Sequence, residues 1–516
     1  TKSSTNITTG SHHGGWPCPL QTFGGSRLVF SMVVKKNKKK MPGGILRQNK
    51  TATHLWVGAL FLYLSSWVIL SWPWISQTVT IPYDAKALFQ TQIQFLANAL
   101  HSGQSPFWNP HAFSGSPQIA DPQSLIFSPA FFLALLNQSP SFFMIDMYVL
   151  CLLGLGGIAI ILLFKEMDWH PAGGVLAAIA FSFGASASSR IQHIGQITSL
   201  AFFIMSLWLA MRLVRRMDIL SGFFLGFAIS AMVVAPDQPA LLGCYILFFV
   251  TTYELVRKKR TINELKRLFL AFTCCGVVVF IIAVGPLLLV WLFVEQTTRP
   301  HISWSEASEG SLHPASLLTA LIADLFGAQN AKVTYWGPYS PAWFPNSWAL
   351  SENMGQVYIG CLPFLVLVYR GLVRGSLWNS EIRSISISFS FMLLYALGHF
   401  TPVFEYFYLY LPGINGFRRP ADATFMFGAL GAVIAGYLLH LEFKSQDEQK
   451  IQPRWALGLT AFSISAVMIA VLIFSYNFHR WNDALPQVIL STGWFLISAA
   501  VFISVVSVKR IDTILG

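Results

Sequence analysis

Asp84, in the stretch I-P-Y-D-A-K, is the first residue whose type and setting could do chemistry. A carboxylate placed there would act as a general base, taking a proton from a hydroxyl at a membrane surface. Its position two residues after Pro82 also suits a helix N-cap, and a carboxylate bonded to backbone N–H groups is a poor base. Both roles are open to it. Arg190 and His193 in S-S-R-I-Q-H, and Asp237 in A-P-D-Q-P-A, are each flanked by apolar runs. Charge this near a bilayer is costly unless it snorkels, pairs or faces a wet cavity, so these residues are read as lining a substrate site. Arg418 and Arg419, in G-F-R-R-P-A-D, suggest an anionic partner such as a phosphate; the alternative is an ion pair with a nearby acid.

Four further candidates have stronger structural alternatives. Asp121 in A-D-P-Q-S is the kind of residue that begins a turn before proline. Glu309 and His313 are four apart and on one helix face would permit a divalent cation, but Gly310 and Pro314 favour a turn there. Glu352 completes the set in the same long loop. The six cysteines lie mostly in apolar runs and offer neither a disulfide framework nor metal-ligand spacing.

The elements that must position these residues are membrane helices. Of 516 residues 54% are hydrophobic and 11% charged, well outside soluble composition, and mean hydropathy is +0.56. The fold class is all-α and polytopic, with twelve spans expected at 54–75, 142–164, 172–188, 197–214, 219–235, 239–255, 268–294, 355–369, 384–400, 421–441, 455–475 and 487–508. The apolar stretch 123–136, about 14 residues, is ambiguous by length alone, and charge decides that it does not cross. With it on the outside, most of the 34 Lys and Arg residues fall on the side of the lysine block 35–40. Both termini are then cytoplasmic, and external loops 76–141 and 295–354 carry half of the candidates. Residues 1–31 read as disordered and the whole 1–52 segment as a basic cytoplasmic tail, leaving 53–510 as one polytopic domain. The net charge of +12 sits in short runs at the ends of apolar segments and not on a folded basic face, which argues against nucleic acid. Between Asp84 and His101 a helical wheel gathers Leu88, Phe89, Ile93, Phe95 and Leu96 on one half, the pattern of an amphipathic helix lying in the membrane interface.

Read in order, the motifs P-Y-D at 82–84, G-Q-S-P-F-W-N-P at 103–110, G-S-P-Q-I-A-D-P-Q-S at 115–124, S-L-H-P at 311–314, W-A-L-S-E-N-M-G-Q-V-Y-I-G at 348–360, A-L-G-H-F-T-P at 396–402 and R-R-P-A-D at 418–422 resemble the YfhO-type family of bacterial membrane proteins, within the GT-C class of glycosyltransferases. The resemblance spans residues 54 to 441. It implies a GT-C-like membrane enzyme with amphipathic helices in its first external loop. Such an enzyme uses a polyprenyl-phosphate sugar donor and a cell-envelope glycan or lipid acceptor at the outer face of the cytoplasmic membrane. Asp84 falls on the loop-one acid and Arg418–Arg419 on the arginine-bearing motif. Asp84 stands alone instead of in a D-x-D or E-x-D pair, so metal dependence is open. Two other classes compete: a multi-span transporter or lipid flippase, and a non-catalytic assembly protein whose external acids would tolerate substitution.

Overall fold

The computed structural model of the chain describes residues 43–112, 114–297, 302–327, 335–343, 352–447 and 454–515. The lysine block 35–40 and the start of the 348–360 motif lie outside them. The chain divides into units 1–51 and 52–516, and every candidate site residue belongs to the second.

Twelve helices account for the expected spans. They are α1 (Gly43–Leu70), α2 (Phe142–Glu166), α3 (Pro171–Phe183), α4 (Ile194–Arg216), α5 (Ile219–Val233), α6 (Gln238–Arg257), α7 (Ile262–Val294), α8 (Cys361–Val366, continued by a π-helical turn over Leu367–Val373), α9 (Arg383–Ala396), α10 (Thr424–Asp447), α11 (Arg454–Asn477) and α12 (Trp481–Leu515). Among the described residues nine helical stretches are long and apolar enough to cross a bilayer, the one at α3 running on through the short helix Ala185–Ser188, while α5, α8 with its extension, and α9 are shorter apolar helices. The protein is an all-α polytopic membrane protein. The stretch 123–136 holds a single turn of 3-10 helix at Pro122–Ser124 and the six-residue helix Phe131–Leu136, too short to span. Among the described residues the only strands are the two-residue pair Trp108–Asn109 and Ser116–Pro117, antiparallel with Trp108 opposite Pro117.

The core sits around α10, whose membrane-length stretch is 94% buried. Small residues let it be approached closely. A Cβ on Gly173 of α3 would lie 2.3 Å from the Gly436 carbonyl oxygen, and one on Gly436 equally close to that of Gly173. Glycine at both positions lets two backbones meet where any side chain would force them apart. Local sequence also sets the ends. Thr261 opens α7 with a capping box: its hydroxyl accepts from the Glu264 N–H, and the Glu264 carboxylate accepts from the Thr261 N–H at 2.7 Å.

The helical run after Asp84 differs from the expected one. It begins as a π-helical turn at Ala85–Gln90 and becomes α-helical only over Thr91–His101. Its apolar half is covered by protein and not by lipid: Phe89, Ile93 and Leu96 are buried in the main core. The periodicity identified the face correctly, but the partners of that face are other helices.

Candidate functional site

Asp84 stands at the N-cap position of its helix, yet its side chain makes no capping hydrogen bond. The reason is local. Tyr83 adopts a left-handed conformation, φ +57°, which aims its carbonyl at the first orphan donors, and the N–H groups of Lys86 and Ala87 both donate to it at 2.9 Å. The carboxylate is thereby released from the helix end. It is half exposed, and its Oδ2 lies 3.4 Å from Nδ1 of His193.

Two staples hold this turn in place. Asp146, buried in the first turns of α2, accepts from the Thr80 hydroxyl at 2.7 Å and from the Ile81 N–H at 3.3 Å, and pairs with the Lys86 ammonium at 2.7 Å. Its partners lie on both sides of Asp84 in the chain. Sequence reading missed Asp146. The available signal was a lone carboxylate inside an apolar 25-residue helix, which is costly unless paired.

His193 closes the turn before α4. Burial, together with the nearby Arg190 and Arg419 charges, lowers its pKa to about 3, so the ring is neutral at physiological pH. The neutral ring can carry its proton on Nδ1, toward Asp84, with Nε2 facing the Asn353 amide at 3.5 Å. Asn353 and its neighbour Glu352 belong to the second long loop. The Asn353 carbonyl accepts from the Ser189 hydroxyl at 3.0 Å, which ties that loop to the same turn.

Arg190 lies 1% exposed behind His193, where α4, α6 and α10 begin. One guanidinium nitrogen, Nη2, donates to Asp422 and to Gln196, the latter at 3.1 Å, and Gln196 returns to the second Asp422 oxygen at 3.0 Å. The guanidinium also lies over the Phe425 ring, 4.6 Å from its centroid. Its Nε and Nη1 are buried without an acceptor. Asp237 caps α6, accepting from the Ala240 N–H at 2.8 Å and from the Ser199 hydroxyl at 3.0 Å. Part of Asp237 reaches the surface, but its carboxyl is enclosed, and that burial, aided by the Asp422 charge, pushes its pKa up to about 7 against the two hydrogen bonds.

The arginine pair is split in role. Arg418 pairs with Glu306 at 3.5 Å with both groups partly exposed, which is the ion pair foreseen as the alternative for this motif. Arg419 is exposed, has no side-chain partner among the described residues, and occupies the left-handed region at φ +66°. Gln238 supports that unusual backbone. With its amide turned so that nitrogen faces the carbonyls, it donates to Arg418 at 2.8 Å and to Arg419 at 3.2 Å, while its oxygen accepts from the Tyr395 hydroxyl at 2.7 Å. A strained arginine held by a buried side chain is a common mark of a functional position.

The remaining candidates stand apart. Asp121 accepts from the Gln123 N–H at 2.9 Å and begins its turn. Glu309 and His313 do not share a helix: the short helix Trp304–Ser308 ends before Glu309, and His313 caps the following turn, its Nδ1 accepting from the Ala315 N–H at 3.1 Å. The His313 ring sits among Tyr339, Trp343 and Phe400, and burial lowers its pKa. Among the described residues no three His, Cys, Asp or Glu side chains gather in a way that could hold a metal.

The geometry thus assembles Asp84, His193, Arg190, Asp237, Asp422 and Arg419 from four separate chain segments at one end of the bundle. Among solved structures, the chain is similar to the apo oligosaccharyltransferase of Archaeoglobus fulgidus, at 12% identity, over 83% of this chain and 56% of that one, with a TM-score of 0.40. The chain therefore matches little more than half of that protein's length, and the likeness is too distant to bear on the site. No family model matches the sequence, nor does any curated protein.

Proposed function

We propose that the protein is a membrane glycosyltransferase that moves a sugar from a polyprenyl-phosphate donor to a cell-envelope glycan or lipid acceptor. The observation that carries this reading is the Asp84 carboxylate, freed from its own helix end and facing a neutral histidine beside two arginines that retain unused donors. In the reaction the acceptor hydroxyl oxygen attacks the anomeric carbon, a new C–O bond forms, and the bond from that carbon to the phosphate oxygen breaks. The hydroxyl proton passes to Asp84, oriented by His193, and the bonding pair leaves on the lipid phosphate. Arg419 meets that phosphate directly, and Arg190 supports it from behind with buried positive charge. The site faces the outside of the cytoplasmic membrane.

The test is transfer of labelled sugar from a panel of polyprenyl-phosphate sugars to an envelope acceptor fraction by the purified chain, with and without added divalent cation. Transfer from one donor, lost in Arg419→Gln through a raised KM, is the expected result. Absence of transfer from every donor sinks the reading.

A multi-span transporter or lipid flippase is the second reading, favoured by the burial of Arg190, Asp422 and Asp237 between helices, as coupling charges are in transporters. Flux in proteoliposomes that depends on Asp237 and ignores Asp84 would select it.

A further inference from the structure

At the opposite end of the bundle a cavity of about 370 Å³ opens where three spans terminate. Leu55 and Trp56 reach it from the start of the α1 span, Lys165 from the last turn of α2, and His440 and Lys444 from the end of α10. Its wall is largely self-satisfied. The His170 ring stacks on Phe443 with centroids 3.9 Å apart, His440 Nδ1 accepts from the His170 N–H at 3.0 Å, and the Trp169 indole donates to Glu381 at 3.2 Å. The acid at the rim, Asp168, is taken by Arg215 at 2.6 Å. The ammonium groups remain. Lys165 is exposed and has no carboxylate partner among the described residues, and Lys444 lies 4.0 Å from its nearest one, Glu381.

We infer that this cavity binds the headgroup of an anionic phospholipid, its phosphate held between Lys165 and Lys444 and its acyl chains leaving along Leu55 and Trp56. One lysine without a carboxylate partner and a second held only loosely by Glu381, beside an exposed leucine and an indole where helices leave the bilayer, match a ligand that is anionic at one end and apolar at the other. A free phosphate would use the lysines but gain nothing from the apolar flank. The site is separate from the Asp84 cluster, and its existence does not depend on any transfer reaction there.

The experiment is native mass spectrometry of the full chain in detergent with an equimolar mixture of dioleoyl phosphatidylglycerol and dioleoyl phosphatidylcholine. Wild type should retain phosphatidylglycerol roughly thirtyfold over phosphatidylcholine, as two lysines at a membrane surface would give. Lys165→Gln/Lys444→Gln should reduce that preference to near unity with an unchanged thermal midpoint, and Lys165→Arg/Lys444→Arg should keep it. Equal retention of both lipids by wild type, or an undiminished preference in the glutamine variant, overturns the proposal. Inorganic phosphate binding to lipid-free wild type as tightly as the lipid, with the same lysine dependence, overturns the lipid assignment.

Discussion

At one end of the bundle Arg190 and Asp422 are enclosed almost completely, with Arg190 Nε and Nη1 left without acceptors. At the other, Glu442, 1% exposed, lies between Arg370 at 3.3 Å and Arg374 at 3.1 Å, both of which reach toward the surface, and Arg370 Nε at least faces the carboxylate. The first cluster is enclosed and incomplete, one arginine against one carboxylate with two donors unused; the second, at the more open end, sets two partly exposed arginines against one buried carboxylate and so keeps an excess positive charge that can reach water. Arg370 Nε is also buried without a hydrogen bond, but its guanidinium is partly exposed, so breaking the fully enclosed Arg190–Asp422 pair should cost more than breaking the second cluster.

Breaking the enclosed pair should have the largest effect. Arg190→Met leaves Asp422 buried without a counter-charge, and a loss of about 3–5 kcal/mol in detergent unfolding is expected. Adding Asp422→Leu should restore most of it, and a double variant as unstable as the single one would show that packing and not charge dominates. At the open end, Glu442→Gln should cost less, roughly 1–2 kcal/mol, because both arginines can turn to water. Equal losses at the two ends would erase the contrast.

Asp146→Asn tests whether the incomplete cluster depends on its support. Asp146 acts through the Thr80–Lys86 turn and touches no proposed reacting group, so the variant should lower kcat roughly tenfold with little change in KM. A change in KM alone would assign it to donor binding.

Titration separates two groups at the enclosed end. Asp237 has its pKa raised from 3.8 to about 7, so the folded protein binds the extra proton, and that contribution to stability is full below 3.8 and lost as pH rises to about 7. His193, lowered from 6.5 to about 3, acts with the opposite sign: the unfolded chain binds the extra proton, and stability falls as pH drops from 6.5 toward 3. Asp237→Asn should therefore steepen the fall in stability below pH 6.5 by removing the compensating group. Unfolding midpoints across that range check it. The smallest effect is expected at Arg418→Gln, about 0–1 kcal/mol, since that ion pair is half in water.

The spans were legible because length and apolarity fix them almost without reference to tertiary structure, and each of the twelve expected spans overlaps a helix, although the one expected at 355–369 becomes helical only from Cys361. The short stretch 123–136 was legible only once charge was counted as well. The site was only partly so. The sequence places Asp84 at a helix start, but whether the carboxylate caps that helix depends on the left-handed Tyr83, which nothing in the composition of the turn requires. Asp146 and Lys86 meet across 60 residues, and Gln238 reaches the Arg418 and Arg419 carbonyls from a different loop, so neither relation has a local signature. Glu309 and His313 show the converse, a four-residue spacing that suggests a shared face and is cancelled by the turn between them.

Single-turnover transfer of labelled sugar by Asp84→Asn and Asp84→Glu, with wild type alongside and thermal midpoints measured for all three, decides whether Asp84 is the base. A loss of at least about a hundredfold in Asp84→Asn, partial recovery in Asp84→Glu and unchanged midpoints are the results expected of that role. Full transfer by Asp84→Asn would remove it and leave the carboxylate as no more than a neighbour of His193.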